Sequence, residues 1–124
     1  MSSISLSLVL QIVVALGLLN VWLIRRENPT AYRGGDAQSL QQEFAAYGLP
    51  DIMFYIVGGL KVLAALALLA GIWLPAVIVP AAGVIVVLML GAIAMHIKVG
   101  DPLMKSVPAS LVLLMSAIIV YVNM

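Results

Sequence analysis

Four long apolar runs make up most of the chain, at about residues 4–24, 52–73, 75–95 and 104–122. An α-helix rises about 1.5 Å per residue, so each run is long enough to cross a hydrocarbon core of roughly 30 Å. Apolar residues make up 65% of the sequence and charged residues 9%, whereas a soluble domain has roughly 45–50% and 25%. The sequence therefore predicts a membrane protein with four transmembrane helices.

The rest of the composition excludes several kinds of functional site. The net charge of +1 offers no strongly basic face for nucleic acid. The chain has no cysteine, which rules out disulfides, thiol redox chemistry and thiolate-bound metals or clusters. With one histidine and scattered carboxylates, we expect no metal site.

The connections between the runs predict an all-α membrane protein in which four transmembrane helices form an antiparallel up-down bundle. The break at Gly71–Pro75 leaves room only for a tight turn, while the first loop, residues 25–51, is much longer. In that loop Ser39 and Gln42 have the spacing of a capping box, and Gly48 supplies a stop signal. We expect a short interfacial helix over Leu40–Tyr47, within a single domain of residues 1–124.

Charge placement predicts the orientation. Every lysine and arginine except Lys61 lies in the first or third loop. The positive-inside rule then puts both loops in the cytoplasm and both termini outside the cell (inner) membrane. Trp22, followed by Arg25 and Arg26, is expected at headgroup depth, where aromatic side chains are enriched.

Lys61 is the charged residue inside the second run, about ten residues and so roughly 15 Å from its loop-side end. A lysine at mid-membrane costs about 2.5–3.5 kcal/mol on insertion scales. One interpretation is a buried cation that meets a carboxylate or a ligand, with Gly58 and Gly59 leaving space beside its stem. The alternative is a lysine that snorkels to the surface and only holds the helix in place.

Two polar residues are candidate partners for Lys61. Glu43 would pair with it if the interfacial helix dips into the mouth of the bundle, and an exposed Glu43 is the alternative. Gln11, counted back from the loop-side end of the first span, lies at the depth of Lys61 and could bond to it. Ordinary interhelical packing explains Gln11 as well.

Further candidates lie on the loop side. His96 either shuttles protons or binds a ligand, or it is an interfacial residue bonded to a loop carbonyl. Arg33, before two glycines, either forms an anion-receiving turn or contacts lipid phosphates. Tyr47 ends the interfacial helix and completes the predicted cluster. Asp101, followed by a proline, is predicted to cap the fourth helix.

A family resemblance comes from five segments taken together: Asn28–Gly35, Tyr47–Pro50, Gly58–Lys61, His96–Lys98 and Asp101–Lys105. In combination they resemble the DoxX-like family of small four-span membrane proteins. The wider family includes a thiosulfate:quinone oxidoreductase subunit and proteins of membrane redox complexes. An animal branch resembles an endoplasmic-reticulum chaperone for acetylcholine-receptor assembly. The resemblance implies the four-span fold and a polar cluster more strongly than any one activity.

Two functions are open from the sequence. In the first, the polar cluster holds a lipophilic, quinone- or lipid-like molecule, and the protein is an accessory to a membrane redox complex. The chain has no plausible set of haem or iron–sulfur ligands, so we expect no intrinsic cofactor and no stand-alone redox enzyme. In the second, the protein is a non-enzymatic partner that assembles or escorts another membrane protein through small-residue helix faces.

The expected partners are membrane lipids and another membrane protein or redox complex, and a homo-oligomer is left open. A channel or carrier would require such an oligomer around a central axis, because one lysine and one histidine make a thin path for ions.

Overall fold

The computed structural model describes residues 3–24 and 39–124, and every regular element in these residues is helical. Helix α1 spans Ser3–Leu19 and continues as a π-helical turn over Asn20–Ile24. The short helix α2 spans Leu40–Ala46, and α3 spans Asp51–Ala70. A 3₁₀ turn leads into each of the last two helices, α4 at Ile78–Lys98 and α5 at Val107–Asn123.

Four helical segments are long and apolar enough to cross a membrane: Leu6–Leu23, Asp51–Ala70, Pro75–Lys98 and Leu103–Asn123. The prediction of an all-α protein with four spans is therefore confirmed. The short helix in the first loop is also present, and the Ser39 hydroxyl accepts a hydrogen bond from the Gln42 amide at 3.2 Å. Helix α4 ends three residues later than the predicted span, which places His96 in its last turn.

Two glycines with left-handed backbone end α2 and α4, Gly48 at φ 79° and Gly100 at φ 72°. Each helix ends in a Schellman motif, in which amides beyond the helix donate to its last carbonyls. In α4 the Asp101 amide donates to the His96 carbonyl at 2.9 Å, and Gly100 donates to Ile97 at 3.1 Å. The chain therefore folds back over the end of α4 and returns Asp101 to the side of His96.

The four long helices pack as a ring, because α1 and α4 each lie against both α3 and α5, and α2 rests on α3. Small buried side chains such as Ala15, Ala65 and Ala82 allow close approach between helices, which matters in lipid, where packing rather than water exclusion drives association. The main core comprises Val14, Ala15, Leu18, Ala64, Ala65, Leu68, Ile78, Ala81, Ala82, Ile85, Met89 and Ile119.

The side chain of Trp22 is buried between helices, with only 4% of it exposed, and its location at headgroup depth stays a prediction. Its indole packs on Gly58 of α3, where an added Cβ would meet the indole Cζ3 and lie 2.8 Å from Cε3. The ring turns inward because Gly58 leaves a gap of its shape on α3. Gly59, by contrast, has no heavy atom within 4 Å of the position of a Cβ.

The two glycines provide a matched test of this packing. Gly58→Ala is expected to lower the free energy of unfolding by about 1–3 kcal/mol, because the added methyl overpacks the indole. Gly59→Ala is expected to be neutral or to stabilise by up to about 1 kcal/mol, since alanine is the better helix former. Denaturant titration in mixed micelles, followed by circular dichroism, measures both. Equal stabilities would contradict the placement of Trp22.

Candidate functional site

A continuous series of contacts joins Lys61 to Asp101 at the loop-side end of the bundle. We define the loop-side cluster as the side chains of Trp22, Phe44, Tyr47, Phe54, Lys61, His96 and Asp101. They come from the end of α1, from α2 and α3, and from the end of α4 with the turn that follows it. Four segments distant in sequence thus meet at one end of the helical ring.

Lys61 places its ammonium over the indole of Trp22, with Nζ 5.3 Å from the ring centroid. The lysine is half-buried and the ring is buried. A cation over an aromatic face gains about 0.5–1 kcal/mol at an exposed site and about 2 kcal/mol when desolvated. This contact therefore offsets part of the cost of holding an ammonium within the span.

Trp22 is itself fixed by two phenylalanines. Its ring centroid lies 5.3 Å from Phe54 and 6.0 Å from Phe44, the latter in an edge-on arrangement. Phe44 and Phe54 also meet edge to face at 5.7 Å. Each such pair contributes about 0.5–1.5 kcal/mol beyond area burial. The three rings form an aromatic platform that joins α2 to α3 and to the end of α1.

Tyr47 and His96 are brought together, as the predicted cluster requires. Both are buried, and the Tyr47 hydroxyl lies 3.4 Å from Nε2 and 3.5 Å from Nδ1 of the imidazole. The rings are T-shaped with centroids 5.8 Å apart. The tyrosine therefore connects the aromatic platform to the polar end of α4.

Asp101 holds the imidazole of His96, with Nδ1 at 2.8 Å from Oδ2. Because an ionised carboxylate can only accept, Nδ1 is the donor, which leaves the acceptor character of a neutral ring on Nε2. The other carboxylate oxygen of Asp101 lies 3.8 Å from Lys105 Nζ, and the carboxylate side chain is only 5% exposed. A buried carboxylate with two such partners gives the ring a defined orientation.

The prediction that Asp101 caps the fourth helix is wrong. The 3₁₀ turn over Leu103–Ser106 has Pro102 at its N-cap position and no side-chain cap bond. The Schellman turn at Gly100 directs the carboxylate back to His96 instead. Sequence reasoning missed this pair, and the detectable signal was a glycine followed by an aspartate just beyond a helix-ending histidine.

Gln11 does not lie at the depth of Lys61. Its Nε2 donates to the Leu68 carbonyl at 2.9 Å, about two turns further along α3 and so roughly 10 Å away. The Ser7 hydroxyl donates to Gln11 Oε1 at 2.7 Å, and Asn123 Nδ2 donates to the Ser7 oxygen at 2.7 Å. Gln11 thus belongs to a polar network that ties α1, α3 and α5 together at the other end of the bundle.

Two predicted site residues are not placed here. Arg33 lies outside the described residues, and so does the side chain of Glu43, although its backbone belongs to α2. The pairing of Glu43 with Lys61 and the anion-receiving turn at Arg33 therefore stay predictions. Within the described part of the chain, no group of three or more His, Asp and Glu residues could hold a metal ion.

An apolar groove of about 320 Å³ lies between α3 and α4, lined by Leu60, Gly83, Val84, Val87 and Leu88. Its lining residues are all apolar and belong to membrane spans. Leu60 immediately precedes Lys61 on α3. Lys61 is not among the residues that line the groove, and its ammonium lies over Trp22 instead.

Comparisons with known proteins give one match. The model of the DoxX-like family matches residues 31–120, which include α2, α3, α4 and most of α5. No curated protein matches the chain, and no solved structure matches it.

The contact between His96 and Asp101 can be measured by a double-mutant cycle. We expect His96→Ala and Asp101→Ala to be coupled by about 1–3 kcal/mol in the free energy of unfolding, because each removes the same buried, charge-assisted bond. The control cycle pairs His96→Ala with Asp51→Ala, since Asp51 accepts from Gln41 instead. That cycle is expected to be additive within about 0.5 kcal/mol. Equal coupling in both cycles would contradict the assigned contact.

Proposed function

Since the chain belongs to the DoxX-like family and is a membrane protein, we propose that it binds the polar head of a lipophilic molecule at the loop-side cluster. The observation that carries this proposal is that Lys61 is half-buried with its ammonium over the buried ring of Trp22. A charged group inside a membrane span is by default a candidate functional site. The aromatic platform supports it there without neutralising its charge.

The chemistry of the cluster favours an acceptor-bearing head group. An ammonium has three N–H donors and no acceptor, so its natural ligands are a phosphate, a carboxylate or a carbonyl oxygen. The apolar groove between α3 and α4, which Leu60 helps to line, is proposed to take the tail of the same molecule. A quinone- or lipid-like molecule combines such a head with such a tail.

A quinone ligand would make the protein an accessory to a membrane redox complex. Electron transfer to or from a quinone requires a partner that carries its own redox cofactor. The family resemblance to subunits of membrane redox systems supports this role. The basic residues of the first and third loops support a cytoplasmic position for this end of the bundle in the cell's inner membrane.

Native mass spectrometry of the purified protein tests the proposal. We expect wild type to retain one class of lipid or quinone. In Lys61→Met the amount of bound ligand should fall about tenfold or more, since a charge-assisted bond contributes about 1.5–3 kcal/mol. Lys61→Arg is expected to keep part of the binding because it keeps the charge.

The matched control for this experiment is Leu63→Met, which changes a lipid-facing side chain of the same helix that is 66% exposed. It should retain the ligand as wild type does. Equal retention by Lys61→Met and Leu63→Met, with both variants folded by circular dichroism, would contradict a ligand site at Lys61.

A second candidate function is assembly with another membrane protein, and the exposure of α5 favours it. Only 11% of the α5 span is buried, against 28–33% in the other three spans. Helices that associate in a bilayer do so through open, closely approachable faces. The face with Leu111 and Leu114, both exposed, is available to a partner helix or a second copy.

Cysteine cross-linking tests the assembly role, because the chain has no cysteine of its own. Leu114→Cys in native membranes is expected to give a discrete adduct with one other protein or with a second copy. Leu63→Cys, on the exposed face of α3, is the control and should give no adduct. Absence of any adduct at Leu114 would contradict the assembly role.

A further inference from the structure

Helix α2 is held on the bundle by a small number of side chains. Gln41 Nε2 donates to Asp51 Oδ1 at 3.4 Å. Phe44 is buried against Trp22 and Phe54, and Tyr47 is buried just after the end of the helix. A helix of seven residues is not stable by itself in water. Its position therefore depends on these contacts.

Two contacts from α4 hold the C-terminal end of α2. Lys98 Nζ donates to the Tyr47 carbonyl at 2.9 Å, and the Tyr47 hydroxyl lies against the imidazole of His96. Asp101 fixes that imidazole in turn. We call Tyr47, His96 and Lys98 the latch.

The connection from α2 to α3 has the features of a hinge. It consists of residues 48–50, with Gly48 at φ 79° and Pro50 extended at φ −71° and ψ 160°. Hinges are a few residues at element ends that absorb a change in backbone angles. The latch thus lies directly beside the hinge.

Helix α2 packs against Trp22, which belongs to the proposed binding site. Phe44 meets the edge of Trp22, and Trp22 carries Lys61 on its face. Movement of α2 about residues 48–50 would lift Phe44 away from Trp22.

We propose that α2 is a lid over Trp22, the ring on which Lys61 lies, and that release of the latch opens it to admit the polar head of the ligand. The entry of a ligand rests on the proposed function. The opening itself is a property of the latch and the hinge, and it can be measured without ligand.

The first measurement removes the latch bond. Lys98→Met is expected to speed amide hydrogen exchange in α2 about tenfold, equivalent to about 1.4 kcal/mol for the lost charge-assisted bond. In a Trp73→Phe background Trp22 is the sole tryptophan, and its quenching by acrylamide should increase as well. Lys98→Arg keeps the donor and should restore both values towards wild type.

The second measurement locks the lid. Gln41→Cys with Asp51→Cys, joined by a short bis-maleimide across the hinge, should return exchange and quenching in Lys98→Met to the wild-type level. Tyr47→Phe, which removes only a hydroxyl, gives a gentler release of the latch. Unchanged exchange and quenching in both latch variants would overturn the lid.

Ligand uptake separates the lid from the proposed function. The probes are a short-chain quinone and dioleoyl phosphatidylglycerol in detergent. Slower uptake by the cross-linked protein supports the lid as the entrance. If the cross-linked protein takes up the probe as fast as wild type does, while Lys61→Met takes up none, the lid is overturned and the ligand site at Lys61 stands. No uptake by any form would overturn the proposed function, while the quenching data still decide the lid.

Discussion

The contact of Trp22 with Gly58 on one side and Lys61 on another is the interaction on which the loop-side end depends. The glycine admits the indole to the interior, and the buried indole then gives the lysine an aromatic face within the membrane span. Phe44 and Phe54 fix the same ring, so the position of α2 follows from it too. Because Gly58 has no side chain, there is room on α3 for the indole of Trp22. Lys61 lies over this indole, and Phe44 of α2 packs against it.

Different kinds of interaction hold the two ends of the bundle together. At the end away from the loops, Ser7, Gln11 and Asn123 form short hydrogen bonds that join three spans. Interhelical hydrogen bonds in membranes contribute modestly, about 0.6 kcal/mol on average, so this network specifies packing more than it adds stability. The loop-side end instead combines contacts between aromatic rings with the ammonium of Lys61 over Trp22 and the contact of His96 with Asp101.

Much of the fold was predictable from the sequence, because membrane spans are set by length and hydropathy alone. The four spans, the capping box at Ser39 and the short helix α2 are all present. The site was less predictable, because it depends on which way individual side chains turn. The packing of the Trp22 indole on Gly58 is a contact between helices that the sequence pattern does not show.

The predicted depth of Gln11 and the predicted capping role of Asp101 were wrong for related reasons. The depth of Gln11 was predicted by counting residues from the end of its span. Its actual partner, the Leu68 carbonyl, depends on how α1 is aligned with α3. Asp101 precedes a proline, as a helix cap does, yet the left-handed turn at Gly100 returns it to His96. Both outcomes depend on tertiary geometry that a local pattern does not contain.

The most direct test of the central claim is a solid-state NMR measurement of contacts from Lys61 ¹⁵Nζ in lipid bilayers. With Trp22 carrying ¹³C in its indole, the structure predicts dipolar dephasing that corresponds to the 5.3 Å between Nζ and the ring centroid. Dephasing from ³¹P of the bilayer surface without any contact to the indole would show a snorkelling lysine. That result would contradict the site.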